Sequence, residues 1–246
     1  MRRFYIDKKQ TGENIARLTG QDARHLKDVL RLKIGDTVCV FDGTGNEYKA
    51  KIQGFHPGEV HLALSELTKF ESESPVQITL AQAFLKDKKM DTLVRQVSEL
   101  GIWRWLPYQA AHSVARPDQE RLKTRKDRWE KIVKEALKQC GRSRLPEICD
   151  AVSFSEALAL GSSCDLKILF WEKSNESLSQ LGHQYKNKCR SIFIFLGPEG
   201  GFADEEVTAA EEKGFITASL GPRILKADTA SLAACALIQH LFGDME

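Results

Sequence analysis

Leu196-Gly197-Pro198-Glu199-Gly200-Gly201-Phe202 and, further on, Leu220-Gly221-Pro222-Arg223-Ile224-Leu225 decide the reading of this chain. Each closes an apolar run that reads as a buried strand, Ser191 to Leu196 and Phe215 to Leu220, and each precedes a helical pattern. Gly-Pro at a strand end leaves backbone bare and stiff, because glycine has no side chain and proline fixes φ. The two ends are expected as neighbours, where main-chain N–H and C=O groups can grip a flat ligand.

Outward from these loops, strand-like and helix-like segments alternate. The expected order is strand Val76 to Ala81, helix Lys88 to Leu100, strand Trp103 to Tyr108, helix Asp118 to Cys140 and a short strand Glu147 to Cys149. Helix Phe154 to Leu160, strand Leu166 to Trp171 and helix Glu176 to Lys186 follow, and helices Asp204 to Lys213 and Asp228 to Phe242 flank the last strand. This alternation predicts an α/β domain with a mainly parallel sheet and helices on both faces. Ligands of such sheets sit beyond the carboxyl ends of the strands, where both glycine loops fall.

The first 67 residues differ in kind. Short β-type runs at Arg3 to Ile6, Thr37 to Asp42, Glu47 to Gln53 and Glu59 to Ser65 are separated by turn signals such as Asp42-Gly43-Thr44-Gly45 and His56-Pro57-Gly58. They predict a small barrel or curled sheet, interrupted by one helix, Gln21 to Leu32, that buries Leu26, Val29, Leu30 and Leu32. The polar stretch Thr68 to Pro75 reads as a linker, giving domains over 1–67 and 75–246.

At 246 residues, 42% hydrophobic and 28% charged, the chain is an ordinary soluble protein by composition. No run approaches the roughly 18 apolar residues of a membrane span, and the start lacks a signal-peptide core. The six cysteines are scattered without metal-ligand spacing, so reduced cytoplasmic thiols and no metal site are expected. Charge is uneven: Arg116 to Arg144 holds 11 Lys or Arg against 5 Asp or Glu, a local +6 in a chain of net +2. That run is either a solvated helix face or a nucleic-acid contact. Arg142 and Arg144, on the loop after it, favour the second, since arginine forks onto phosphate.

The glycine loops fit neither the dinucleotide fingerprint G-x-G-x-x-G nor a P-loop, and no G-x-S-x-G elbow is present. Taken together, Gly141-Arg142-Ser143-Arg144-Leu145-Pro146-Glu147-Ile148, the two glycine loops and Asp228-Thr229-Ala230 resemble the RsmE-type family of 16S ribosomal RNA uridine-N3 methyltransferases. His25 to Arg31, Gly35-Asp36 and Phe41 to Tyr48 resemble that family's small RNA-binding module, so the similarity spans both expected domains.

The resemblance implies a PUA-like N-terminal β-barrel and a C-terminal SPOUT-type domain with a deep trefoil knot holding S-adenosyl-L-methionine. It also implies a cytoplasmic homodimer acting on 16S ribosomal RNA within the 30S subunit. The implied cofactor residues are Trp171, Leu196, Gly197, Pro198, Glu199, Gly200, Gly201, Leu220, Gly221, Ile224, Leu225, Thr229 and Ala230. The glycines would spare room for adenine and ribose, and the leucines and Ile224 would flank the base. Arg142 and Arg144 are candidates for placing the nucleotide and its charge, and Glu199 for taking the N3 proton or orienting backbone or ribose. Arg2, Arg3, Arg24, His25, Arg31 and Lys33 are the expected phosphate contacts of the first module. Lys226 and Asp228 stand where the family pattern has arginine and glutamate, so a bidentate role is in question there; Asp228 can equally be a helix N-cap. Ribose 2′-O-methylation, or RNA binding without turnover, are the alternatives.

Overall fold

Period-two alternation builds the N-terminal sheet. The computed structural model describes residues 2–7, 14–69, 73–86, 89–186 and 188–246; residues 70–72 of the expected linker and Lys88 of the expected helix lie outside them. The chain forms two units, Met1–Glu73 with Leu137–Leu145, and Ser74–Ala136 with Pro146–Glu246. In the first, β1 (Arg3–Tyr5), β2 (Ile15–Thr19), β3 (Thr37–Phe41), β4 (Asn46–His56) and β5 (Glu59–Lys69) make one sheet in the order β1-β3-β4-β5-β2. Ala16 and Leu18 of β2 point inward while Ile15, Arg17 and Thr19 face out. With Phe4, Val38, Val40, Ile52, Val60 and Leu62 they form the core.

Strand β2 has no counterpart among the sequence expectations, because a five-residue run with a single alanine and leucine inward carries a weak signal. The expected helix Gln21 to Leu32 is instead α1 (Gly20–Arg24) followed by a π turn, His25–Val29. The wider turn shifts the phase of the apolar face. Leu26 is fully buried, but Val29 is 66% exposed, against expectation.

The second unit contains β6 (Gln77–Ala83), α2 (Lys89–Glu99), β7 (Arg104–Gln109), most of α3 (Gln119–Cys140), β8 (Glu147–Ile148), β9 (Val152–Ser153) and α4 (Phe154–Gly161). It continues with β10 (Leu166–Phe170), α5 (Leu178–Tyr185), β11 (Ser191–Leu196), α6 (Asp204–Glu212), β12 (Ile216–Ala218) and α7 (Ala227–Phe242). The strand order is β12-β10-β11-β6-β7-β8, with β9 also on β7, and every pair is parallel.

This order corrects one expectation: the glycine-bearing strands β11 and β12 are not neighbours. Strand β10 pairs with β11 on one edge and β12 on the other, and the Trp171 N–H continues the ladder to the Ala218 carbonyl. The two glycine loops therefore flank the end of a third strand.

Beneath the sheet, Tyr108, Phe154, Phe193, Phe195, Phe202 and Phe215 stack with ring centroids between 5.1 and 6.4 Å apart. Gly161, at the end of α4, lets two of these rings approach: a Cβ there would sit 2.6 Å from Phe215 and 3.1 Å from Phe193. Gly161→Ala is expected to destabilise this unit by about 1–3 kcal/mol through overpacking, measured by urea unfolding. An unchanged midpoint would show that the rings yield freely.

Candidate cofactor cleft

At the carboxyl ends of β10, β11 and β12 lies a cleft of about 440 Å³, a size suited to a small organic ligand. Its walls are the segments that leave three strand ends. Phe170, Trp171 and Glu172 come from β10, Leu196 to Phe202 from β11, and Leu220, Gly221 and Arg223 to Ala227 from the loop after β12, with Ala230 on α7 and Lys89 on α2. Of the residues implied by the resemblance, the cleft brings together Trp171, Leu196, Gly197, Pro198, Glu199, Gly200, Gly201, Leu220, Gly221, Ile224, Leu225 and Ala230. Thr229 is not among them: it is exposed and borders a neighbouring groove between α2 and α7.

The glycines serve different ends. Gly197 lies against Phe202, whose ring a Cβ would meet at 3.1 Å, and a Cβ on Gly200 would come to 3.0 Å of the His112 side chain. These two are small for protein packing, which differs from the expected clearance for adenine and ribose. Gly201 and Gly221 have φ of +72° and +102°, a left-handed backbone that side-chain-bearing residues avoid. The Gly201 N–H donates to the Pro198 carbonyl at 3.0 Å, closing the turn.

Glu199 has defined partners. Its Oε1 accepts the Lys86 backbone N–H at 3.1 Å and the Lys89 ammonium at 3.2 Å. Burial pulls its carboxyl upward, but the backbone N–H groups of Lys86 and Glu199 and the Lys89 charge outweigh it, leaving the group below its ordinary value of 4.5. Such a carboxylate is a weak base and a firm clamp. Because its folded value is depressed, its contribution is complete at neutral pH and is lost as pH falls through that folded value. Glu199→Gln is expected to weaken ligand binding at pH 7 by about 3- to 10-fold, the size of one ordinary hydrogen bond, since the amide oxygen keeps an acceptor in place and loses only the charge. Wild-type affinity should fall toward that of the variant below pH 4.5, as followed by calorimetry; parallel pH profiles would exclude the clamp.

Asp228 is not the N-cap of α7. Lys226 occupies that place, and the Asp228 carboxylate, inside the first turn, accepts the Thr229 N–H at 3.1 Å. Lys89, Glu172 and Ala227 line the cleft without having been singled out, while Phe202 and Arg223 were quoted only within the glycine loops and Lys226 only as a departure from the family pattern. Arg223 and Lys226 were discoverable as charges inside the second glycine loop; Lys89, on a distant helix, had no local signal.

The other expected residues belong to the first unit. Arg142 is 4% exposed, and its Nε and Nη2 donate to Glu73 Oε2 at 3.2 and 2.8 Å. Glu73 Oε1 accepts the N–H groups of Ser143 and Arg144 at 3.1 and 2.9 Å. The expectation that the Arg142 fork faces phosphate is therefore corrected: a carboxylate occupies it. Arg3 is likewise corrected, since β1 beside β3 aims its guanidinium at Glu47, the Arg142 carbonyl (2.9 Å) and Ser143 Oγ (3.2 Å). Arg2, Arg24, His25, Arg31 and Lys33 are exposed. Arg144 is half-buried on the same loop as Arg142.

A parallel α/β domain with a glycine-walled cleft at its strand ends, joined to a small β-rich module, defines a two-domain protein built to hold a small organic ligand. Residues 72–239 match the RNA methyltransferase domain family and residues 18–65 the RNA methyltransferase PUA domain family. The ribosomal RNA small subunit methyltransferase E of Bacillus subtilis is 31% identical over 98% of this chain and 96% of its own length. The crystal structure of that enzyme from Neisseria gonorrhoeae, bound to S-adenosyl methionine, superposes with a TM-score of 0.89 at 30% identity, covering all of both chains. A Legionella pneumophila methyltransferase with bound SAM gives 0.88 at 27% identity, covering 98% of each. The chain belongs to the ribosomal RNA small subunit methyltransferase E family.

Proposed function

We propose that this protein is an S-adenosyl-L-methionine-dependent methyltransferase that methylates N3 of a uridine in 16S ribosomal RNA. The observation that carries this reading is the cleft, formed by bare backbone at Gly197 to Gly201 and at Gly221, in a chain superposable over its whole length on a family member solved with that methyl donor. The residues present suit such a ligand. Phe170, Leu196 and Leu225 offer an apolar wall for a flat base, the turn Pro198 to Gly201 offers main-chain groups, and Glu172, Arg223 and Lys226 offer charges for a zwitterionic tail.

When bound, the donor supplies an electrophilic sulfonium methyl. For N-methylation the uracil N3 would give up its imide proton to solvent, with negative charge developing on the flanking carbonyl oxygens, and its lone pair would take the methyl as the sulfur–methyl bond breaks to leave the neutral thioether. Arginine is suited to balance that charge. In this reading Arg144 places the nucleotide, Arg142 and Glu73 hold the Arg144 loop, and Glu199 clamps the cofactor turn in preference to acting as base. Arg2, Arg24, His25, Arg31 and Lys33 contact phosphates, and the base is read in an unstacked state.

A homodimer, a knotted C-terminal segment, a 30S-bound substrate and a cytoplasmic location complete the reading, on the strength of the family resemblance. No helix among the described residues is long and apolar enough to cross a membrane. The experiment is methyl transfer from labelled donor to 30S particles and to naked 16S RNA, with nucleoside mass analysis. N3-methyluridine is the expected product; a 2′-O-methylated nucleoside in its place, or no transfer to either substrate, would overturn the assignment.

A further inference from the structure

Strand β6 runs Gln77-Ile78-Thr79-Leu80-Ala81-Gln82-Ala83, and after Gln77 it is buried throughout. An amide at full burial near the end of such a strand is costly unless it is bonded. Gln82, 0% exposed, is bonded at both ends. Its Nε2 donates to the Ala83 carbonyl at 3.1 Å and the Gly197 carbonyl at 3.4 Å, and its Oε1 accepts the hydroxyl of Ser231 at 2.5 Å. Only the NH2 side of an amide can serve two carbonyls, so the surroundings set the orientation of the group. Ser231 is also 0% exposed and sits on α7, one turn after Ala227, where its Oγ lies 2.8 Å from the Ala227 carbonyl.

The register explains the need. The parallel ladder of β11 ends at Leu196, opposite Gln82 on β6 and Phe170 on β10, so the carbonyls at this strand end pass beyond regular pairing. Tyr108, fully buried on β7, donates its hydroxyl to the Leu196 carbonyl at 3.1 Å, and Gln82 serves the next one. Both carbonyls belong to residues lining the cleft, and Ala227, the first residue of α7 just after the second glycine loop, lines it as well. Gln82 thus joins the first glycine loop to the start of the helix that follows the second.

We infer that Gln82 is a positioning residue for the cleft: through Gly197 and Ser231 it holds the two glycine loops at one spacing. The functional consequence rests on the methyl-donor reading above, whereas the mechanical one does not. Gln82→Met keeps volume and chain shape, removes both polar ends together, and leaves Ser231 its Ala227 acceptor. It should keep the unfolding midpoint within about 2 °C of wild type, a shift that for a chain of this size corresponds to about 0.5–1 kcal/mol.

Hydrogen exchange at the Gly201 amide in the ligand-free protein should accelerate by about tenfold, as the turn it closes loosens. S-Adenosylmethionine affinity by calorimetry should fall about tenfold, and KM for the donor should rise by a similar factor with kcat changed less than about threefold. Ser231→Ala should shift the same quantities in the same direction. Unaltered exchange and unaltered affinity in Gln82→Met would overturn the inference, as would a loss of affinity that only tracks a lowered midpoint. Accelerated exchange in a protein whose wild type gives no heat with the donor would leave the positioning role intact and refute the methyl-donor reading.

Discussion

Gly201→Val is expected to abolish S-adenosylmethionine binding, a loss of more than about 100-fold, while the chain stays folded. Two effects add. Gly201 holds φ at +72°, where a β-branched residue costs about 1–3 kcal/mol, and its N–H closes the turn back to Pro198. A Cβ there would also lie 3.6 Å from Glu172 Oε1, another residue of the cleft, so the valine methyls would enter the space the ligand needs. Gly201 belongs to no helix or strand and is only partly buried, which spares the cores. Gly58→Val supplies the control: it too has a left-handed φ, +79°, but it sits on the β4–β5 turn with nothing within 4 Å of its Cβ. It should show the backbone penalty with affinity intact. If Gly201→Val bound the donor as the wild type does, the turn would have no part in the site.

The second large effect is expected at Arg142. Replacing this buried guanidinium by methionine strips the Glu73 carboxylate of its counter-charge, and breaking a buried pair from one side costs about 3–5 kcal/mol. The Ser143 and Arg144 N–H bonds to Glu73 would remain as partial compensation. In urea unfolding the N-terminal unit should therefore melt early, and hydrogen exchange should rise at the Ser143 and Arg144 amides. Arg144→Ala leaves the Arg142–Glu73 pair in place and should lower methyl transfer to RNA. A stable Arg142→Met protein that binds donor and transfers no methyl would return Arg142 to the chemistry and remove it from the scaffold.

Legibility differed by element. Strand β11 is found over the same residues as expected, because six apolar-rich residues between a polar turn and Gly-Pro admit few other readings. Strand β12 is shorter than expected, Ile216–Ala218 in place of Phe215 to Leu220, since Phe215 turns into the aromatic cluster and Leu220 belongs to the cleft wall. Arg3 and Arg142 read as surface cations because sequence shows a charge and not its partner. Glu47 and Glu73, which bind them, lie 44 and 69 residues away along the chain. Gln82 passed unnoticed for the same reason: of its three partners, Gly197 and Ser231 are 115 and 149 residues distant.

Local pattern alone determined the alternating α/β order and the loops that carry the cleft, because periodicity, turn chemistry and bare glycine backbone act over a few neighbouring residues. Tertiary structure alone decided that β10 stands between those loops, that Lys89 clamps Glu199, and which arginines hold the scaffold. Strand order and ion pairing depend on contacts between segments far apart in the chain, and only the folded packing selects among the partners that charge and hydrophobicity permit.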